Sequence, residues 1–313
     1  MSQTLRVLAR VLAVALVLLA GVAAVAPEPA VRERAYRLPA YDSLGAGARR
    51  ELDRVATREE YTRWAADPRF VLRKLEYQSD SLRVVGYEYV PLRAGPAPVV
   101  VYCRGSWVAG DLAPALLPVF HRLAEAGYRV FAPMYRGSDG GEGVDDMGGA
   151  DVDDVRHALS VAAARAGTEA GPFYLYGESR GGMMTLQALR DGAAVRAAAV
   201  VGAFTDLDSL LAGDERSRAA STRIWPDFES RRQALAQRRS AVRWADSLRT
   251  PLLILHGGAD HGVSPRQSLA LAARLDALGR AYELHVLAGG SHTLAERGAQ
   301  RDSLVVAWFR AHP

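Results

Sequence analysis

The feature that most limits what this chain can fold into is Gly177-Glu178-Ser179-Arg180-Gly181-Gly182. It lies between a short apolar run, Phe173-Tyr174-Leu175-Tyr176, and an apolar stretch that opens Met183-Met184-Thr185-Leu186. The first run reads as a buried strand and the second as a helix. The backbone must therefore turn from strand to helix around a single serine. A turn that tight strains the serine and exposes its hydroxyl at the end of a sheet, the arrangement called a nucleophile elbow. Glycines two positions before and after the serine allow strand and helix to approach closely. Because the chain has 29 glycines, the pentapeptide carries weight only in a supporting context.

That context is a repeating alternation of strand and helix. Short apolar strands are expected at 98–102, 129–134, 172–176, 195–201, 251–256 and 282–287, with helices at 112–126, 151–164, 181–189, 265–278 and 295–310. Such alternation predicts an α/β fold with a mostly parallel, doubly wound sheet covered on both faces. Ahead of it, 75–78 and 83–90 alternate in polarity around Ser79-Asp80-Ser81 and predict an antiparallel hairpin. Residues 206–247 break the rhythm with Arg, Glu, Ser and Ala around Ile224-Trp225-Pro226. An insertion there, beyond the strand ends, is expected to form a helical lid. Residues 27–65 read as a linker and helical arm, leaving 66–313 as the catalytic domain.

The N-terminus points to export. Arg6 and Arg10 precede sixteen apolar residues, 11–26, followed by Pro27-Glu28-Pro29. A basic start, an apolar core and small residues at its end describe a secretory signal (cut after Ala24) or an uncleaved anchor. The formal charge is +4 and comes almost wholly from arginines interleaved with Asp and Glu. This pattern reads as a solvated, salt-bridged surface and not as a nucleic-acid interface. The one cysteine, Cys103, closes an apolar strand and allows neither an intrachain disulfide nor a multi-thiolate metal site. No metal or organic cofactor is implied, since neither a Gly-x-Gly-x-x-Gly after the first strand nor a Walker-type loop is present.

A serine hydroxyl needs a general base, and the base an orienting carboxylate. In a doubly wound sheet both come from loops at the strand C-termini. Two such loops follow Ser179, namely His256-Gly257-Gly258-Ala259-Asp260 and Ala288-Gly289-Gly290-Ser291-His292. They give the order Ser179, Asp260, His292, the chain order of α/β-hydrolases. His256 is still on its strand and reads as packed, His261 as a loop residue, and His285 as part of a strand. His121 and His157 sit mid-helix and His312 at the chain end. Asp206 and Asp208 suit a helix start or the lid, and Asp145, Asp146, Asp151, Asp153 and Asp154 suit the helix that follows them. The oxyanion needs two donors. The backbone N–H of Arg180 is one; a main-chain N–H near Arg104 or Gly105, or the Tyr102 hydroxyl, is the other.

These residues resemble the catalytic domain of the prolyl oligopeptidase-type serine peptidases, an α/β-hydrolase family. The resemblance rests on Ser79-Asp80-Ser81-Leu82 with Gly86-Tyr87, Tyr135-Arg136-Gly137-Ser138, the elbow, Leu255-His256-Gly257-Gly258-Ala259-Asp260 with Val263, and Gly289-Gly290-Ser291-His292. It implies that Ser179, Asp260 and His292 are catalytic and that Tyr102 offers its hydroxyl to the oxyanion. It also implies that Tyr135 and Arg136 lie beside the substrate cleft; Glu178, before the nucleophile, and Trp225, in the insertion, are further candidate contacts. Glu178 and Arg180 replace residues that are frequently aromatic in the family, and Cys103-Arg104-Gly105-Ser106 replaces a more usual Gly-Gly-Pro loop. Acyl transfer on a small peptide, or alternatively a small ester, is the implied chemistry; a preference for proline is not.

Overall fold

Strands this short and this apolar must be covered on both faces, and a nine-stranded sheet with helices on either side achieves it. The computed structural model describes residues 31–93, 95–105, 112–165, 172–213 and 215–313. The stretch 11–26, expected to be a signal or anchor, lies outside these residues, as do Ser106 and Trp107.

The strands are β1 (Arg32–Ala35), β2 (Phe70–Ser79), β3 (Leu82–Pro91), β4 (Val99–Cys103), β5 (Arg129–Pro133), β6 (Phe173–Glu178), β7 (Ala197–Val201), β8 (Leu252–Gly257) and β9 (Tyr282–Leu287). They are ordered β1-β2-β3-β5-β4-β6-β7-β8-β9. From β5 to β9 all neighbours are parallel, while β1, β2 and β3 are antiparallel. Period-two alternation sends Val99, Val101 and Cys103 into one core and Val100 and Tyr102 into the other. Ile254 and Leu255 of β8 divide in the same way.

All but the last of the expected helices fall where the pattern places them, within a residue. The helices are α3 (Ala113–Glu125), α4 (Val152–Ala164), α5 (Arg180–Arg190), α9 (Arg266–Ala277) and α10 (Gly298–Ala311), counting α1 (Ala46–Leu52) and α2 (Arg58–Ala65) in the arm. Between β7 and β8 the insertion folds as α6 (Leu207–Gly213), α7 (Glu215–Ile224) and α8 (Phe228–Arg239). Because the chain crosses to opposite sides of β4 to form β5 and β6, the switch point lies at the sheet centre. Loops at its carboxyl edge can therefore converge there.

Three details depart from the expectations. The hairpin is longer, with β2 starting at Phe70 and a two-residue turn at Asp80-Ser81 whose first residue has φ 54°. Arg73 and Lys74 hid that extension; they lie on a half-exposed strand and pair with Glu88 and Asp139. Within the expected linker, Arg32–Ala35 joins the sheet edge although all four residues are exposed and carry no apolar alternation. The last helix starts later, after a 3-10 segment over His292–Arg297.

The arm is anchored by its own sequence. Thr57 and Glu60 form a reciprocal capping box at the start of α2. Leu44, Leu52, Tyr61 and Trp64 share a core with Leu117 and Phe120 of α3. Leu52 is wholly buried there, so Leu52→Ala is expected to cost about 2–5 kcal/mol, read as a lower urea midpoint at unchanged m-value.

Candidate active site

Ser179 has φ 52° and ψ −120°, a strained conformation for any residue with a side chain. It is held by packing on either side. A Cβ on Gly177 would lie 2.3 Å from the Gly181 carbonyl oxygen, and one on Gly181 would lie 1.9 Å from that of Cys103. The Ser179 N–H donates to the Val201 carbonyl at 2.8 Å, which ties the turn to β7. The serine thus stands at the carboxyl end of β6, in the middle of the sheet.

The other two loops reach the same point. His292 Nε2 lies 2.9 Å from Ser179 Oγ, and His292 Nδ1 lies 2.7 Å from Asp260 Oδ2. Two left-handed residues, Thr293 (φ 58°) and Leu294 (φ 55°), turn the chain sharply after the imidazole. Leu294 is fully buried and fixes that turn. Beneath the ring is Gly202, where a Cβ would sit 3.3 Å from His292 Nδ1. Asp260 Oδ1 accepts the N–H groups of Gly262 and Val263, both at 2.8 Å. Burial opposes the ionised form of Asp260, yet hydrogen bonds from His256, His292 and the Val263 backbone hold its pKa well below the usual carboxylate range.

The model of the prolyl oligopeptidase family matches residues 118–312, well over half of the chain. The chain belongs to the prolyl oligopeptidase family. It is therefore a serine hydrolase with an α/β-hydrolase fold. A protein of Bacillus subtilis (strain 168) named Uncharacterized peptidase YtmA is 29% identical over 211 residues, covering 66% of this chain and 80% of that one. Among solved structures, Pyrococcus horikoshii acylaminoacyl peptidase aligns with a TM-score of 0.66 at 18% identity, covering 82% of this chain and 44% of the other. The chain thus spans less than half the length of that peptidase. Pyrococcus furiosus esterase Pf2001 aligns with a TM-score of 0.63 at 16% identity, covering 82% of this chain and 94% of the other.

Around the serine of this hydrolase, the expected contacts divide. Arg180 opens α5, and the first N–H groups of a helix have no intrahelical acceptor. Gly105 also comes close, since a Cβ there would lie 3.2 Å from Ser179 Cβ. Tyr102 lines the same cavity as Ser179, and burial, with the Glu178 carboxylate nearby, holds the pKa of its hydroxyl well above the usual range. Glu178 itself accepts from Arg301 at 2.7 Å and from the Tyr176 hydroxyl at 3.2 Å. Burial, opposed by Arg301, leaves its pKa raised. It borders the cleft as an anchor between β6 and α10.

Tyr135 and Arg136 do not line the cleft, contrary to what the resemblance implies. Tyr135 is fully buried, its ring centroid 4.8 Å from the guanidinium carbons of both Arg104 and Arg180. Its hydroxyl donates to the Arg104 carbonyl at 3.0 Å. Arg136 is buried against Asp154 and Asp80. The loop motif supports the site from below, and its residue types alone do not reveal which way they face. Cys103 is buried and its thiol is pushed up to about 12 by that burial.

Two cavities meet at Ser179 and His292. One, of about 300 Å³, is walled by Phe204 of the loop after β7 and by Leu207, Leu210, Leu211 and Trp225 of the insertion. The other, of about 310 Å³, is more polar and includes Tyr102, Arg104, Gly105, Glu178 and Arg301. Gly202 and His256 are site residues that sequence reasoning missed or set aside. Gly202, directly after β7, was one glycine among many, and His256 was read as merely packed.

The depressed pKa of Asp260 carries a stability prediction. Its folded value lies below the unfolded one near 4, so its stabilisation is complete above that pH and is lost as pH falls through the folded value. Urea melts of wild type and Asp260→Asn are expected to differ above about pH 5 and to converge toward pH 2.

Proposed function

We propose that this hydrolase cleaves peptide bonds in small peptides through an acyl-enzyme formed on Ser179. The observation that carries the reading is the continuous chain from Ser179 Oγ to His292 at 2.9 Å and on to Asp260 at 2.7 Å. In it, His292 takes the serine proton as Oγ attacks the carbonyl, and returns it to the leaving amine. Asp260 fixes the Nδ1–H tautomer and stabilises the imidazolium. The Arg180 N–H and a main-chain donor of the 104–105 loop hold the developing oxyanion. Water then attacks the acyl-enzyme by the same proton path in reverse.

A substrate that extends on both sides of its scissile bond suits a nucleophile flanked by two cavities. The apolar cavity, closed by α6 and Trp225 acting as a lid, receives the side chain on the acyl side. The polar cavity takes the leaving group. Ester hydrolysis is the second reading, because the acyl step and the apolar cavity serve an ester equally well.

Three experiments bear on this. Ser179→Ala is expected to lower turnover by several orders of magnitude with the melting temperature unchanged. Matched p-nitrophenyl esters and peptide anilides separate the readings: measurable kcat/KM on anilides is expected, and activity confined to esters would replace the peptidase with a carboxylesterase. Leu210→Ser, which makes the apolar wall polar, is expected to lower kcat/KM about tenfold for large apolar acyl side chains while sparing small ones.

A further inference from the structure

Behind the Ser179–His292–Asp260 chain stands a second imidazole. His256 is the penultimate residue of β8 and is fully buried. Its Nε2 lies 2.8 Å from the Val263 carbonyl oxygen and 3.1 Å from Asp260 Oδ2. A carbonyl only accepts, so Nε2 carries a hydrogen, which it donates to that carbonyl with its positive edge beside the carboxylate. Nδ1 is then the acceptor for the Ser268 hydroxyl at 2.7 Å, which locks the tautomer. Asp260 Oδ2 thus accepts the His292 Nδ1–H and has His256 Nε2 3.1 Å away, while Oδ1 accepts two backbone N–H groups.

We infer that His256 is a positioning residue for the reaction: its Nε2–H fixes the rotation of the Asp260 carboxylate and withdraws negative charge from the oxygen that faces His292. This rests on the reading of Ser179, His292 and Asp260 as the hydrolytic triad. Two consequences follow from removing the donor. Asp260 gains rotational freedom, so fewer molecules hold His292 aligned with Ser179. Its Oδ2 also becomes a stronger acceptor, which favours the imidazolium form of His292. Hydrogen bonding to Asp260 from His256 is among the main causes that lower the carboxyl pKa against its burial. The other charged groups that line the two cavities with His292 are Glu178 of β6, Arg301 of α10, Arg104 of the loop after β4, Arg180 of α5, Arg122 of α3, Glu51 of α1 and Arg54 just after it. None of them is altered by a change at His256.

The test is the pH profile of kcat/KM for the full chain on its best ester or anilide, with wild type, His256→Leu, His256→Gln, Ser268→Ala and Ser179→Ala measured together. His256→Leu is expected to lower kcat about ten- to a hundredfold with little change in KM. Its acid limb should move up by about half a pH unit or more. His256→Gln retains an N–H near the Nε2 position and should recover most of both effects. Ser268→Ala empties little space and loosens only the tautomer lock, so it should shift the limb in the same direction by less; it carries the test if the leucine variant does not fold. A wild-type acid limb and kcat in folded His256→Leu, or in Ser268→Ala if only that variant folds, would overturn the inference. Equal losses in the leucine and glutamine variants without any limb shift would do the same. Activity surviving in Ser179→Ala would instead overturn the triad reading on which the inference rests.

Discussion

The carboxylate of Asp260 is the point at which the site is held together. It is buried, and a buried carboxylate is stable only when its lone pairs are filled. Here two backbone N–H groups fill one oxygen, and the other accepts from His292 with the His256 imidazole 3.1 Å away. That full set orients His292, and through it the Ser179 hydroxyl. Removing a donor changes both alignment and charge, so the geometry of the reacting atoms depends on groups that never meet a substrate.

Arginines extend the same logic outward. Arg104 and Arg180 both pack against the Tyr135 ring and so join the loop after β4 to the start of α5. Arg180 reaches Asp151 at 2.7 Å, and Arg301 joins Glu178 to the Thr293 carbonyl at 3.0 Å. Arg239 stacks on Trp225 and donates to the carbonyls of Met147 and Asp146, which fastens the insertion to the loop before α4. A planar guanidinium presents several donors in fixed directions and stacks on rings, properties a lysine lacks. These side chains fasten loops to one another around a nucleophile whose backbone is strained.

What the sequence made legible was whatever leaves a periodic or local mark. Buried parallel strands are apolar along their length, so β4, β6, β7 and β8 were visible, and with them the carboxyl edge where Ser179, Asp260 and His292 meet. The exposed strand Arg32–Ala35 has no apolar side to show, since it is held by backbone pairing with β2. Tyr135 and Arg136 illustrate a second limit. Their motif marked an important loop, yet orientation is decided by tertiary partners, Arg104 and Arg180 for one and Asp154 for the other. His256 illustrates the converse, because its strand position signalled burial correctly while its partner across the turn could be seen only in three dimensions.

The most direct test of this account is covalent labelling with a fluorophosphonate, read by intact-protein mass spectrometry and peptide mapping. A single adduct on Ser179, abolished by acid unfolding before exposure, is the expected result. Folded protein that forms no adduct, or forms it on another residue, would contradict the assignment of Ser179 as the activated nucleophile.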